Sequence, residues 1–147
     1  MSSKHLRHPN FTFSESIPVQ TRFSDYDTFG HVNNNAYMAI FDIGKTHFFR
    51  QVTGRQANPI ALGAVIVNIN VDFLEPALID EPIAVQTAVE TVSHNSFTLY
   101  QRIVNPTDGH IKAQATSVLA GFDPRTQTGA PLRPDLLECL SDKVINA

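Results

Sequence analysis

The chain has 147 residues, the size of one ordinary domain, and its 42% apolar and 17% charged content lets it bury a core and excludes the make-up of a disordered chain. A formal net charge of −3, from 11 basic and 14 acidic side chains, argues against a module held on nucleic acid by a basic excess. The single cysteine, Cys139, leaves no intrachain disulfide and no multi-cysteine zinc site. No apolar run approaches the roughly 20 residues of a membrane span, so a cytoplasmic protein is expected.

In chain order, residues 1–16 are polar and aperiodic and read as a flexible N-terminal arm ahead of a single domain over 17–147. From Ile17 the pattern alternates, with Val19, Thr21 and Phe23 on one side, which is a half-buried strand. Ser24 to Gly30 is turn chemistry, rich in Asp, Ser and Gly. Asn33 or Asn34 then opens a long helix reaching about Gln51, closed at Thr53-Gly54. Apolar residues cover so much of its circumference that more than one neighbour, or a wrapped sheet, must bury it. Gly44 inside it costs about 1 kcal/mol against Ala, and close helix–sheet approach is the reason expected for keeping it.

After Pro59 the period changes to two. Val65, Val67, Ile69, Val71 and Phe73 are expected to share one face of a strand. Ile83 to Thr91, Phe97 to Val104 and Ile111 to Phe122 follow as three more, joined by short turns that suit antiparallel neighbours. Ile66, Ala84, Ala88, Tyr100 and Ala115 fall on the second face, where apolar groups suggest an oligomer contact. Asp135 to Leu140 closes the chain as a short helix. The fold class is α+β, with one antiparallel sheet and one dominant helix.

Residues 22–37 bring two carboxylates, Asp25 and Asp27, one imidazole, His31, and a helix N-terminus together. Such a helix end carries unpaired N–H groups and about half a positive charge, which stabilises a developing oxyanion. A carboxylate beside it can act as general base or as nucleophile on an acyl carbon. By local sequence alone Asp27 reads more readily as a turn residue than as a catalyst.

The run D-Y-D-T-F-G-H-V-N-N-N-A-Y, following a strand and opening a long apolar helix, resembles the hotdog-fold acyl-CoA thioesterases of the 4-hydroxybenzoyl-CoA thioesterase branch. The resemblance is densest over Val19 to Phe49. It implies a five-stranded antiparallel sheet wrapped around the helix, a homodimer or homotetramer, and hydrolysis of an acyl-CoA thioester without metal or redox cofactor. It implies Asp27 as the catalytic carboxylate and the N–H of Asn34 as the oxyanion donor. His31 falls on a histidine whose role varies among relatives. Asp25, Gly30, Asn33, Tyr37 and Ser96 are then expected to border the substrate. The chain departs from the plant acyl-carrier branch, since Phe29 stands where those enzymes carry asparagine. It leaves Asp42 as the one acid at the mid-helix position used by another branch. The alternatives are a non-hydrolytic acyl-thioester-binding protein and a hydratase or dehydratase on the same fold.

Overall fold

A computed structural model describes residues 6–13, 15–54 and 62–145. The elements are β1 (Ile17–Val19), a 3₁₀ turn (Phe23–Asp25), α1 (Asn34–Thr53), β2 (Ala64–Phe73), β3 (Ile83–Val92), β4 (Ser96–Val104), β5 (Ile111–Asp123), β6 (Thr128–Gly129) and α2 (Pro134–Ser141). Five strands pair antiparallel in the order β1-β3-β4-β5-β2, and the two-residue β6 adds to β5. This is the α+β hotdog architecture that the resemblance implies, with the short β6 as an addition.

α1 begins where its caps dictate. The Asn33 side chain accepts the Ala36 N–H at 2.8 Å, and Gly54 closes the helix at φ +66°. The helix is about 30 Å long and lies on the inner face of the sheet. A methyl group on Gly44 would sit 2.7 Å from Gln101 Nε2 and 2.8 Å from Val85 Cγ2, so the helix backbone rests on β3 and β4 as expected. Two apolar clusters form under it. One gathers Val32, Tyr37, Ile40 and Phe41 with Ile83 and Ile103 near the helix start. The other gathers Phe48 and Phe49 with Phe97, Leu99 and Leu119 near its end.

Two expectations change. β1 stops at Val19, and Phe23 is 90% exposed, because Asp25 accepts the Arg22 N–H and turns the chain before Phe23 can reach the core. In β2 a bulge between Ile66 and Asn68 reverses the side-chain alternation. Ile66 pairs with core Leu119 and turns inward, whereas Val67 is 59% exposed. β3 carries a similar irregularity between Val89 and Thr91, and Thr91 is exposed.

The second face is covered differently from the reading above. Ala115 belongs to the core under the helix. Tyr100 is fully buried, but by the chain's own N-terminal residues: the His8 ring lies 4.7 Å away and the Phe13 ring 6.0 Å away. Arg102 binds the carbonyls of His8 and Phe11 and the Tyr100 hydroxyl, and Arg7 forms two hydrogen bonds to Glu90 at 2.8 and 2.6 Å. Residues 6–13 therefore make specific contacts across the outer face; residues 1–5 and 14 of the expected arm, like Pro59, lie outside the described residues.

Candidate active site

The turn before α1 is held by its own backbone. The Asp27 N–H donates to the His31 carbonyl at 2.8 Å and the Gly30 N–H to the Asp27 carbonyl at 3.1 Å, while Tyr26 and Val32 form an antiparallel bridge. Gly30 takes φ +74°, a conformation glycine adopts without cost. The Asp27 carboxylate completes the turn: Oδ1 accepts the N–H groups of Phe29 at 2.9 Å and His31 at 3.1 Å. Its other oxygen, Oδ2, has no hydrogen-bond partner among the described residues, and the residue is exposed. Asp27 thus serves as a turn residue through one oxygen and presents the other to solvent.

The helix start leaves donors free. Asn33 gives its N–H to the Asp25 carbonyl and caps Ala36, but the N–H groups of Asn34 and Asn35 find no acceptor among the described residues. Asp25 closes the 3₁₀ turn through Arg22, with Oδ2 accepting its N–H at 2.8 Å. The His31 ring is half-buried, 6.3 Å from the Phe29 ring, and makes no hydrogen bond among the described residues. Phe29 itself is 82% exposed.

A second layer supports this turn from residues 74–82. Val32 donates to the Ala77 carbonyl at 2.8 Å, Ile79 to that of Gly30 at 2.8 Å, and His31 bridges Leu78. Tyr37 is buried, and its hydroxyl accepts the Ala77 N–H at 3.1 Å. Burial pushes the Tyr37 phenol upward, against the pull of that hydrogen bond. The segment is anchored by Lys112, whose ammonium reaches Glu75 at 3.1 Å and Glu81 at 2.9 Å. Burial opposes charge on all three, but their mutual hydrogen bonds outweigh it. Both carboxyls, helped by His110 at Glu75 and Asn105 at Glu81, lie below their ordinary range and the ammonium lies above its own.

Asp27, His31, Gly30, Asn33, Asn34 and Asp25 therefore share one corner, with Tyr37 beneath it. Ser96 does not join them within the chain. It is the first residue of β4, bonded to Ser93 across the preceding turn at 3.1 Å, beside Phe97, which packs on Phe49 about four helical turns from Asn34. Asp42 lies mid-helix, with its side chain 67% exposed and 3.7 Å from Lys45. Sequence reasoning missed Lys112, Glu75 and Glu81, which come together only through the sheet. It also passed over Lys45, although that residue stands four places after Phe41 and four before Phe49 on an apolar stripe. Among the described residues no group of three or more His, Cys, Asp or Glu is arranged to hold a metal ion.

The model of the thioesterase-like superfamily matches residues 21–140. The chain belongs to this superfamily. Long-chain acyl-CoA thioesterase FadM of Escherichia coli is 26% identical over 132 residues, covering 86% of this chain and 96% of its own length. Acyl-CoA thioester hydrolase YbgC of Escherichia coli O6:H1 is 28% identical over 90 residues, covering 60% of this chain and 67% of its own. A thioesterase from Thermus thermophilus, complexed with coenzyme A and Zn, superposes with a TM-score of 0.76 at 22% identity, over 88% of this chain and 94% of that one. A predicted thioesterase from Bacillus stearothermophilus gives 0.79 at 24%, over 90% and 97%. The matches bear out the resemblance to acyl-CoA thioesterases and support a thioester hydrolase; the structural likenesses speak for the fold. No described helix is long and apolar enough to cross a membrane.

Proposed function

We propose that the chain hydrolyses an acyl-CoA thioester to a free carboxylic acid and CoA at the corner formed by Asp27 and the start of α1. One observation carries the reading: a carboxylate with one oxygen fixed by two backbone N–H groups lies in the turn before a helix start, and its other oxygen and the first two helical N–H groups have no partner among the described residues. The thioester carbonyl oxygen accepts the Asn34 N–H, which polarises it where charge develops. Asp27 Oδ2 takes a proton from water as the water oxygen bonds to the acyl carbon. The tetrahedral intermediate collapses, the C–S bond breaks, and the proton passes to the departing thiolate sulfur. The same geometry also serves direct attack by Oδ2, giving a mixed anhydride that water then cleaves. The N–H groups of Phe29 and His31 keep the carboxylate aimed in either case, and Phe29 offers the ligand an apolar edge. The reaction needs no metal or redox cofactor.

The reading includes a second copy of the chain. β2 is a ten-residue edge strand with one side unpaired in the sheet, and Val67 and Phe73 are 59% and 51% exposed on it. An exposed apolar edge of this length is a template for pairing with another chain. Two protomers joined there, as a dimer or within a tetramer, would close the open corner and bring partner residues to it. The FadM and YbgC names and the coenzyme A held by the Thermus thermophilus protein support the same substrate class.

The test is thiol release from a panel of acyl-CoAs. Asp27→Asn should fold as the parent and lose at least ~10²-fold in kcat. Near-parental turnover removes Asp27 from the chemistry. Binding that protects against heat without thiol release favours a non-hydrolytic binder, and water addition to an enoyl-CoA favours a hydratase.

A further inference from the structure

Among the described residues, three buried side-chain atoms have no hydrogen-bond partner: Lys45 Nζ, Gln101 Oε1 and Ser117 Oγ. All belong to one layer. Gln101 points inward from β4, because its Nε2 donates to the Phe41 carbonyl of α1 at 2.9 Å. Ser117 points inward from β5, two residues before core Leu119, and the register that pairs Leu99 with Ser117 and Gln101 with Ala115 makes the two polar side chains diagonal neighbours. Lys45 comes down from α1 one turn beyond Phe41. None of the three belongs to either apolar cluster, so they form a polar belt between the two.

The belt is costly. The Lys45 side chain is 6% exposed, and its one carboxylate neighbour, Asp42, stays 3.7 Å away and mostly in solvent, beyond hydrogen-bond length. Burial pushes the Lys45 ammonium down from its ordinary range, with Asp42 opposing. A buried ammonium without a hydrogen-bonded partner destabilises the fold, and a methionine would fill the space without that penalty. The same lysine lines a cavity of about 260 Å³ between helix and sheet, together with Asp42 and Thr46 of its own helix and the apolar Phe49, Leu62, Ala64, Ile66 and Leu119.

We propose that this cavity receives the far end of an acyl group bearing an oxygen, a carboxylate above all, with the Lys45 ammonium as its counter-ion. The apolar walls hold the methylenes and the belt selects against a plain hydrocarbon end. The Lys45 nitrogen is shielded from water, so a carboxylate reaching it meets little competing solvent. The flexible four-carbon stem supplies the rotation that turns the ammonium into the cavity. The inference deepens the hydrolase reading by naming its substrate class, and rests on it only for the thioester end.

The experiment measures kcat/KM for octanoyl-CoA and for the CoA monoester of the dicarboxylic acid of equal length, in the parent and in Lys45→Met. The ratio of dicarboxylate to plain ester should fall about tenfold or more in the variant, the loss of one charge-assisted hydrogen bond. An unchanged ratio overturns the proposal. So does a variant whose only changes are a raised Tm or an altered oligomeric state, since the belt then holds a water or a second copy. Lys45→Gln, which nearly keeps the length and removes the charge, should lower the ratio as well and carries the test if Lys45→Met fails to fold. Thermal protection by the free dicarboxylic and monocarboxylic acids supplies a readout without turnover. If neither ester is cleaved but the diacid protects the parent and not the variant, the hydrolase reading fails and the cavity assignment stands; equal protection overturns the assignment.

Discussion

The two acids of the helix region, Asp27 at its open end and Asp42 in its middle, sit in opposite surroundings. Asp27 has one oxygen held by main-chain donors, in the turn that leads into a helix start whose Asn34 and Asn35 N–H groups find no acceptor among the described residues. Asp42 lies mid-helix, where the regular ladder consumes the backbone donors, and its neighbour is a buried lysine. Both offer a carboxylate; only the first lies in the turn that leads into the helix start, where the proposed oxyanion donor is. In this chain the two aspartates differ in their backbone surroundings, and the proposed chemistry depends on the unpaired amides beside the first.

That contrast can be broken experimentally, and the largest effect belongs to the amide. Asn34→Pro removes the N–H at the first helical position, where proline is tolerated, after an extended Asn33 at φ −80° and ψ 163° that suits a following proline. The kcat should fall about 10²–10³-fold with Tm close to the parent; an unchanged kcat places the oxyanion elsewhere. In the buried middle the sensitive point is packing. Gly44→Ala presses a methyl into Gln101 and Val85, and should lower stability by about 1–3 kcal/mol, less about 1 regained from helix propensity. A denaturant midpoint at or above the parent's would show that the layers can part freely.

Lys112→Met tests the support beneath the open end. The loosened 74–82 segment should cost several-fold in kcat, and Lys112→Arg should recover most of it. The acid limb of stability moves as well. Glu75 and Glu81 have folded pKa values below their ordinary 4.5, so their contribution is present above that pH and lost as pH falls through the lower folded values. Lys112 is raised above its ordinary 10.5, so its share is present below that pH and lost only as alkali passes the folded value. Without the lysine the acid loss should begin at higher pH, read as Tm against pH. Asp42→Asn should have the smallest effect on turnover, below about tenfold; a loss matching Asp27→Asn would erase the contrast.

The helix and the four long strands were legible because their periodicity and caps are local: Asn33 and Gly54 bound α1 as their residue types suggest. Side-chain parity within strands was not, because the irregularities near Val67 and Glu90 appear only once partner strands fix the register. Phe23 looked like a strand residue by alternation, but the Arg22–Asp25 contact ended the strand first. At the site, clustering of Asp25, Asp27, His31 and the asparagines followed from adjacency. Which Asp27 oxygen is free depends on the shape of the turn, set by contacts two and four positions away; that Lys112 anchors the turn's support depends on contacts 37 and 31 positions apart.

The N-terminal strap carries a practical consequence. Trimming the chain to its first strand would uncover the Tyr100 phenol and the Arg102 fork and strip Glu90 of Arg7 and His8. A shortened version prepared for convenience would show an aromatic floor to solvent and should clump on concentration, so affinity tags belong at the other terminus.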